Sequence, residues 1–298
     1  MNQQGLYEKF TVQRTDGSSQ PGGKHAGCHY FVLDMTHDQH ALPALAAYAK
    51  SCADDYPQLA IDLNQALAAR TRINNVFVTV PESIVAGKVV PTFQVGQYLA
   101  AAGPSGSVQI SATAAPWVNI NFADAKSACA ASGLALITEL QALAIAQDIA
   151  NQPINWSGGA VGEGHIYQGI HKDNVQRVQA GTYVSPDPDE RRWHELSNGE
   201  RIYDFAGNAF TWVFDDVQGD EDGIVARDIE AGSPSLATAP APSMRSGMGW
   251  RPTGPAGWSG SALIRGGCFF SGDAAGVFNL DLGWPGYAGV YVGFRCTK

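Results

Sequence analysis

The amino-acid sequence predicts an α+β fold, in which an antiparallel sheet with much irregular backbone follows a few early helices. Glycine supplies 34 of the 298 residues and charged residues only 16%, a composition that favours a loop-rich fold over a helical bundle. Helical spacing of apolar residues occurs only before about residue 150, and short strand-like runs follow it. Hydrophobic residues make up 45% of the chain, which is sufficient for a sizeable core.

The sequence pattern of residues 1–72 predicts a small α+β unit. The stretches "EKFTVQR" and "CHYFVLD" are short strand candidates, separated by the turn-like "TDGSSQPGG". Leucine and alanine then recur at helical spacing in "HDQHALPALAAYAKSCADDYPQLAIDLNQALAAR", which predicts two helices. Pro57 falls in the first turn of the second helix, where its missing N–H costs little.

Residues 73–298 predict a second domain with strands, two helices and long loops. The first helix is expected in "NFADAKSACAASG", with Asn121 or Asp124 near its start and Gly133 just past its end. The second is expected in "ITELQALAIAQDIA", with Thr138 as its cap. Beyond these helices we expect short strands and a long loop at residues 231–260, which is rich in proline and glycine.

The charge pattern excludes two classes of partner. A net charge of -9 without a basic stripe argues against nucleic-acid binding and against attraction to anionic lipids. No apolar run reaches the roughly 18 to 20 residues of a membrane span, so no membrane insertion is expected. The first residues lack the features of a secretory signal. We therefore expect synthesis in the cytoplasm, with a virion released by lysis as one final location.

Neither the cysteines nor the histidines predict a metal site. Five scattered cysteines without a CxxC pair support neither a zinc ribbon nor a disulfide scaffold. His165, His171 and His194 are isolated and are expected to be structural or exposed. A further group has no zinc-like spacing, and surface or turn positions are expected for its members, His25, Cys28, His29, His37 and His40.

No cofactor is required by any pattern in the sequence, although a structural calcium ion is an alternative at two places. Asn208 either bonds a turn or supplies a calcium ligand. The acidic run at residues 215–222 is either a solvated face or a second source of carboxylate ligands.

Three segments resemble, in order, the formylglycine-generating-enzyme type of C-type lectin fold. The segment "PWVNINFADAKSACAASGLALITELQALAIA" resembles its helix pair, and "GERIYDFAGNAFTWVFD" its central glycine-asparagine-tryptophan motif. "LIRGG" and "VGFRC" resemble its closing strands. The resemblance implies this fold for residues 73–298, and it implies that Cys129 and Cys296 lie close together.

Enzymes of that family bind copper with two cysteines that follow the double glycine. The corresponding positions fall near Ser271 and Gly276, which offer no thiolate, and Cys268 has no second cysteine close by. The resemblance therefore predicts a protein without catalytic activity. An oxidase of the formylglycine-generating type is kept as an alternative.

The last stretch, residues 263–296, resembles the variable region of proteins diversified by diversity-generating retroelements. In these systems, miscopied adenines turn chosen asparagine codons into codons for many residues. The resemblance implies a binding protein for an unknown protein or cell-surface ligand, with a phage or prophage origin as one setting and a structural phage protein as a further alternative. The implied varied, ligand-binding positions are Cys268, Phe269, Phe270, Ser271, Asp273, Asp281, Gly283, Trp284, Tyr287, Gly289 and Tyr291.

The composition of this stretch supports the same interpretation. Between Arg265 and Arg295 the only charged residues are Asp273 and Asp281, and aromatic residues alternate with glycines. Tyrosine and tryptophan give a large contact area at low rotamer cost, as in antibody paratopes and interface hot spots. We expect exposed aromatic side chains, anchored from beneath by Val277, Phe278, Leu280 and Leu282.

Overall fold

A computed structural model describes residues 10–34, 38, 40–70, 75–240 and 244–298. The chain forms two compact units, Met1–Arg72 and Ile73–Lys298. No helix within the described part of the chain is long and apolar enough to cross a lipid bilayer.

The first unit contains two helices, Ala41–Ser51 (α1) and Pro57–Arg70 (α2). Both predicted helices are therefore confirmed, and Pro57 is the first helical residue of α2.

The prediction of a strand at Cys28–Asp34 is wrong. These residues are irregular, and Phe31 is 74% exposed. Strand propensity in a sequence reflects how well side chains fit a pleated, half-buried surface, and no described segment of this unit pairs with residues 28–34. The other strand candidate lies partly outside the described residues, and its described portion, residues 10–14, forms no strand.

The second unit is built on two four-stranded sheets. The first sheet has the order Phe77–Val80 (β1), Phe93–Gly96 (β4), Cys296–Thr297 (β14) and Ala135–Leu136 (β7), all antiparallel. Because the last strand lies two positions from the first, both ends of the unit are fixed in one sheet.

The second sheet carries the closing segments of the chain. Its order is Leu280–Gly283 (β12), Ala262–Arg265 (β11), Phe210–Val213 (β10) and Val292–Phe294 (β13). Only the pair β10–β13 is parallel.

Three short hairpins accompany the sheets. Ser83–Val85 (β2) pairs with Lys88–Val90 (β3), across a turn whose two residues both have positive φ. The other hairpins are Ala101–Ala102 (β5) with Val108–Gln109 (β6) and Trp193–Glu195 (β8) with Arg201–Tyr203 (β9).

The two helices expected in this unit are confirmed with their caps. Phe122–Ala131 (α3) begins after Asn121, whose side chain accepts a hydrogen bond from the backbone N–H of Asp124. Glu139–Ala150 (α4) begins with a capping box between Thr138 and Gln141. One additional turn of helix, Pro234–Ala237 (α5), lies in the long loop where no helix was predicted. The α+β class predicted from the sequence is confirmed.

Cys129 and Cys296 lie as close together as the resemblance implies. Cys129 is on α3 and Cys296 is on β14, their Cα atoms are 6.1 Å apart, and the side chains form a disulfide.

Candidate binding surface

The candidate site is formed by the two loops that leave the second sheet, residues 266–279 after β11 and residues 284–291 after β12. The first loop opens with Gly266 and Gly267, whose φ angles are +91° and +81°. A Cβ atom on Gly267 would lie 2.6 Å from the Cα atom of Ala275. The double glycine therefore permits a sharp turn in which the loop packs against its own later residues.

A buried ion pair holds the base of this first loop. Arg265, the last residue of β11, donates from Nε to Oε2 of Glu139 at 2.6 Å and from Nη2 to Oε1, and both side chains are buried. A third bond runs from Nη1 of Arg265 to the carbonyl oxygen of Asn279 at 3.2 Å. The start of α4, the end of β11 and the end of the loop are thus joined by one guanidinium.

A second buried guanidinium supports the closing strand. Arg295 donates to the carbonyl oxygens of Gly96, Tyr203 and Asp204. Complete burial lowers its pKa to about 10. The two basic residues that bound the aromatic stretch are therefore parts of the framework and are not available to a ligand.

The second loop is fixed along its length by backbone hydrogen bonds to the segment before α3. The N–H of Asn119 donates to the carbonyl oxygen of Gly289 at 2.9 Å, and the N–H of Phe122 donates to that of Pro285 at 3.1 Å. The loop therefore presents its side chains from an anchored backbone.

On this framework four aromatic side chains form one continuous surface, which we call the aromatic surface: Phe270, Trp284, Tyr287 and Tyr291. Trp284 is 71% exposed, Phe270 45% and Tyr287 38%, whereas Tyr291 is half-buried. The ring centroid of Tyr291 lies 5.2 Å from that of Phe270 and 5.9 Å from that of Tyr287. Tyr291 thus connects the two loops.

A hydrogen bond between two tyrosines stiffens the centre of the aromatic surface. The hydroxyl groups of Tyr287 and Tyr291 are hydrogen-bonded to each other, with their oxygens 2.7 Å apart. This hydrogen bond, together with desolvation and the neighbouring charges, raises the pKa of Tyr291 to about 12.

A shallow pocket of about 200 Å³ opens beside these rings. Trp284, Tyr287 and Tyr291 form aromatic walls, and Gly283 lies against the buried ring of Trp212 at the floor. The remaining lining residues are aliphatic: Ile264, Leu282 and Val292.

Seven of the eleven residues singled out in the sequence reach the surface. Phe270, Asp273, Trp284 and Tyr287 are exposed, and Ser271, Asp281 and Tyr291 are half-buried. Beneath them, Val277, Phe278 and Leu280 are buried as expected, whereas Leu282 is half-buried and lines the pocket.

The other four residues are buried, so the structure does not offer them to a ligand. Phe269 turns into an apolar cluster with Leu99 and Ile170, although its neighbour Phe270 points outward. Cys268 is fully buried beside Ser271, and burial raises the pKa of its thiol. Gly283 and Gly289 are buried as well.

The two buried glycines differ in what a side chain would meet. At Gly283 a Cβ atom would lie 2.5 Å from a ring carbon of Trp212, which is fully buried and donates its indole N–H to the carbonyl oxygen of Ile120 at 3.0 Å. At Gly289 the nearest atoms belong to the ring of Tyr287, which is exposed. A residue at position 289 therefore changes the position of Tyr287, whereas a residue at position 283 displaces the core.

Asn208 and the acidic run serve the backbone in this structure. The side chain of Asn208 accepts from the N–H of Gln179 and donates to the carbonyl oxygen of Gln179 and to Asp204. In the acidic run, Oδ1 of Asp215 and Oδ1 of Asp220 each accept two backbone N–H groups of the following turn.

Several of the described histidines make structural contacts. His171 and His194 are buried and bond the carbonyl oxygens of Gly169 and Tyr167, and burial lowers the pKa of His194 to about 4. In the N-terminal unit, Cys28 and His25 contact each other within a turn, and His37 lies outside the described residues. In the part of the chain that the structure describes, no group of three or more His, Cys, Asp or Glu side chains is placed to hold a metal ion.

Sequence reasoning missed two exposed residues beside the loops. Trp250 is 38% exposed, and its backbone bonds those of Ala274, within the first loop, and Leu280, just after it. Val290 is 56% exposed in the second loop. A tryptophan between glycine and arginine in the proline-rich stretch 231–260 was the available signal for Trp250, but its nearness to the other loops depends on long-range pairing.

No family model matches the sequence, and no curated protein matches it either. Among solved structures, the chain is similar to PvdO from Pseudomonas aeruginosa, at 15% identity and a TM-score of 0.35, over 74% of this chain and 90% of that one. It is also similar to Treponema denticola variable protein 1, at 14% identity and a TM-score of 0.38, over 75% of this chain and 92% of that one. A third similar structure is the U1 variant of the Major Tropism Determinant, at 13% identity and a TM-score of 0.36, over 74% of this chain and 54% of that one. Variable proteins are therefore among the solved structures that this chain is similar to, as its sequence resemblance predicts.

Proposed function

We propose that this chain is a non-catalytic binding protein whose second unit presents a diversified recognition surface to a protein or cell-surface ligand. The observation that carries the proposal is the aromatic surface: the rings of Phe270, Tyr291 and Tyr287 lie in contact across two loops. Trp284 lines one pocket with the two tyrosines, and all four rings are partly exposed above a buried framework. Rigid aromatic side chains of this kind are the residues that dominate binding energy at protein interfaces.

The residues proposed to contact a ligand are different from the residues that form the buried framework. Phe270, Trp284 and Tyr287 are partly exposed, so their exchange removes less buried area than the exchange of a framework residue does. The framework beneath them consists of buried side chains, including Arg265, Phe278 and Arg295. A protein that tolerates many sequences at its binding positions needs this separation.

The local structure supports a function without catalysis. Near Gly276 falls one of the two positions where the resembling enzymes carry a copper-binding cysteine, and a Cβ atom on Gly276 would lie 2.1 Å from the backbone nitrogen of Gly249. At the other position Ser271 offers a hydroxyl, and the nearby thiol of Cys268 is buried with a raised pKa. A cysteine at position 276 does not fit this backbone, so the copper-binding pair cannot be restored there by substitution alone.

The binding role can be tested with a random-peptide library panned on the purified full-length protein. We expect the selected peptides to lose about tenfold or more in affinity when Trp284 and Tyr287 are both changed to alanine. Ile84→Ala and Val184→Ala are matched controls, because both residues are exposed and apolar but lie outside the two loops. Peptides that bind all four proteins equally would contradict the proposal.

The finer parts of the proposal have tests of their own. The same variants can be tested for adsorption to intact bacterial cells that bind the wild-type protein. If the chain is instead a structural phage protein, the variants should adsorb as well as the wild-type protein does. Diversification predicts a near-copy of the 3′ end of the gene, differing mainly at adenines, beside a gene for a reverse transcriptase. Its absence from the flanking DNA would remove the retroelement from the proposal.

We further propose that binding requires no cofactor and that the protein reaches its ligand on a phage particle. Peptide binding is then expected to be equal with calcium and with a chelator. A loss of binding or of thermal stability in the chelator would instead favour the structural calcium ion. Detection of the protein in purified particles after lysis tests the location.

A further inference from the structure

The stretch of chain that carries the aromatic surface has charges of one sign only. Between Arg265 and Arg295 the chain has two charged residues, Asp273 and Asp281, and both are acidic. The two arginines that bound the stretch are buried and donate to Glu139 and to backbone carbonyl oxygens. The two loops and β12 therefore present only negative charge.

Asp281 lies on the face of the sheet that bears the pocket. It is directly opposite Ile264 in the β11–β12 ladder, and direct partners in an antiparallel ladder project from the same face. Ile264 lines the pocket, as does Gly283, which follows Asp281 by two positions along the same strand.

The carboxylate of Asp281 has no cationic partner among the described residues. Its only hydrogen bond is from the N–H of Leu282 to Oδ1, at 2.8 Å. Partial burial raises its pKa, because a desolvated carboxylate without a counter-ion is costly. A bound cation would relieve that cost.

The walls of the pocket also suit a cation. The faces of tryptophan and tyrosine rings attract ammonium and guanidinium groups, and tryptophan attracts them most strongly. Trp284, Tyr287 and Tyr291 line one pocket of about 200 Å³, which is large enough for the planar head of an arginine side chain. A guanidinium stacks on rings and donates two parallel hydrogen bonds to a carboxylate, which an ammonium cannot do.

We infer that this pocket receives an arginine side chain of a protein partner, with the three rings as its walls and Asp281 as its counter-ion. The inference rests on the proposed function and adds the chemistry of the anchoring contact. The net charge of -9 favours the same kind of partner, since it attracts basic surfaces over long distances.

The test uses two probes of nearly the same shape, N-acetylarginine methylamide and its neutral citrulline counterpart, titrated into the full-length protein and followed by NMR. We expect the arginine probe to bind about tenfold more tightly than the citrulline probe. Its binding should shift the indole signal that Trp284→Phe removes from the spectrum.

Three variants separate the roles. Trp284→Ala should abolish measurable binding of the arginine probe, and Asp281→Asn should reduce the preference for arginine over citrulline, leaving only the attraction of the rings. Val290→Ala is the matched control, because Val290 is exposed in the same loop but does not line the pocket, and it should leave the preference unchanged. Thermal unfolding of each variant checks that it is folded.

Equal binding of the two probes, or no binding of the arginine probe, would overturn the inference. Binding of a simple methyl glycoside in its place would indicate a glycan ligand. These outcomes are distinct from a failure of the proposed function, because peptides from the library could still depend on Trp284 and Tyr287 without preferring arginine. Only loss of that dependence contradicts the binding role itself.

Discussion

At the scale of single residues, neighbours in the sequence have opposite roles in the second unit. Phe269 is buried and Phe270 is 45% exposed, although they are adjacent and chemically identical. Gly283 and Gly286 are likewise close in sequence, but only the first is packed against another group. Tolerance to substitution therefore differs between neighbouring positions. The loss of stability at each position depends on the atoms that lie closest to the new side chain.

Gly283→Ala is expected to destabilise the protein by about 1–3 kcal/mol, because its Cβ atom would overlap the buried ring of Trp212. The measurement is the free energy of unfolding from urea denaturation. Gly286→Ala is the matched control, since Gly286 has no atom within 4 Å of its would-be Cβ, and its effect should stay within about 0.5 kcal/mol. Equal stability of the two variants would show that the ring of Trp212 moves freely.

Tyr287→Phe should lower the pKa of Tyr291 from about 12 toward the ordinary tyrosine value of about 10. A tyrosine whose pKa is raised on folding contributes stability that is fully present below about pH 10 and is lost as the pH rises toward 12. In Tyr287→Phe this contribution should be smaller and should disappear at lower pH. Alkaline titration of tyrosinate absorbance measures the shift.

The control for that titration is Tyr291→Phe, which should delete the highest-pH step from the wild-type curve. A wild-type curve and a Tyr287→Phe curve that coincide would contradict the role assigned to the hydroxyl pair.

At the scale of elements, a few buried charges join segments that are far apart in the chain. Glu139 opens α4 and Arg265 ends β11, and their bidentate contact spans 126 positions in sequence. The pair fixes the start of the first loop relative to the helix. It is a framework contact beneath the binding surface.

Glu139→Gln should cost about 3–5 kcal/mol in unfolding free energy, because it leaves the buried guanidinium of Arg265 without its counter-ion. The double change of Glu139 and Arg265 to methionine should cost less than this single change, since it leaves no unpaired charge. Asp222→Asn, which breaks the exposed pair with Lys126, is the control and should change stability by less than about 1 kcal/mol. A Glu139→Gln variant as stable as this control would contradict the framework role of the pair.

Elements were also the scale at which the sequence was most informative. The caps at Asn121 and Thr138, with the spacing of apolar residues, located both helices of the second unit. Such signals succeed because they act within a few residues. The prediction of a strand at residues 28–34 was wrong, because a strand also needs a partner strand, which the local sequence does not specify.

At the scale of the whole molecule, the second unit is closed on itself by its last strand and by one disulfide. Strand β14 pairs with β4 and β7, and Cys296 on it bonds Cys129, 167 positions earlier. The aromatic surface is therefore carried by a closed scaffold.

Changing both Cys129 and Cys296 to serine should lower the unfolding free energy of the protein by about 2–4 kcal/mol, chiefly because the unfolded chain regains freedom. The measurement is urea denaturation under oxidising conditions. Cys28→Ser serves as the control, since Cys28 is exposed and forms no disulfide, and it should have little effect. If a reductant destabilises the double variant as much as the wild-type protein, the loss comes from another source.

The sequence by itself determined the α+β class, the positions of the two long helices of the second unit, and the concentration of aromatic residues in the last stretch with its two acidic charges. It did so because composition, caps and local periodicity are properties of neighbouring residues. The tertiary structure alone decided that Phe270, Trp284, Tyr287 and Tyr291 form one surface while Phe269 and Cys268 are buried. The backbone of these loops has no regular period, so the direction of each side chain depends on packing against distant segments such as residues 117–122, β10 and α4.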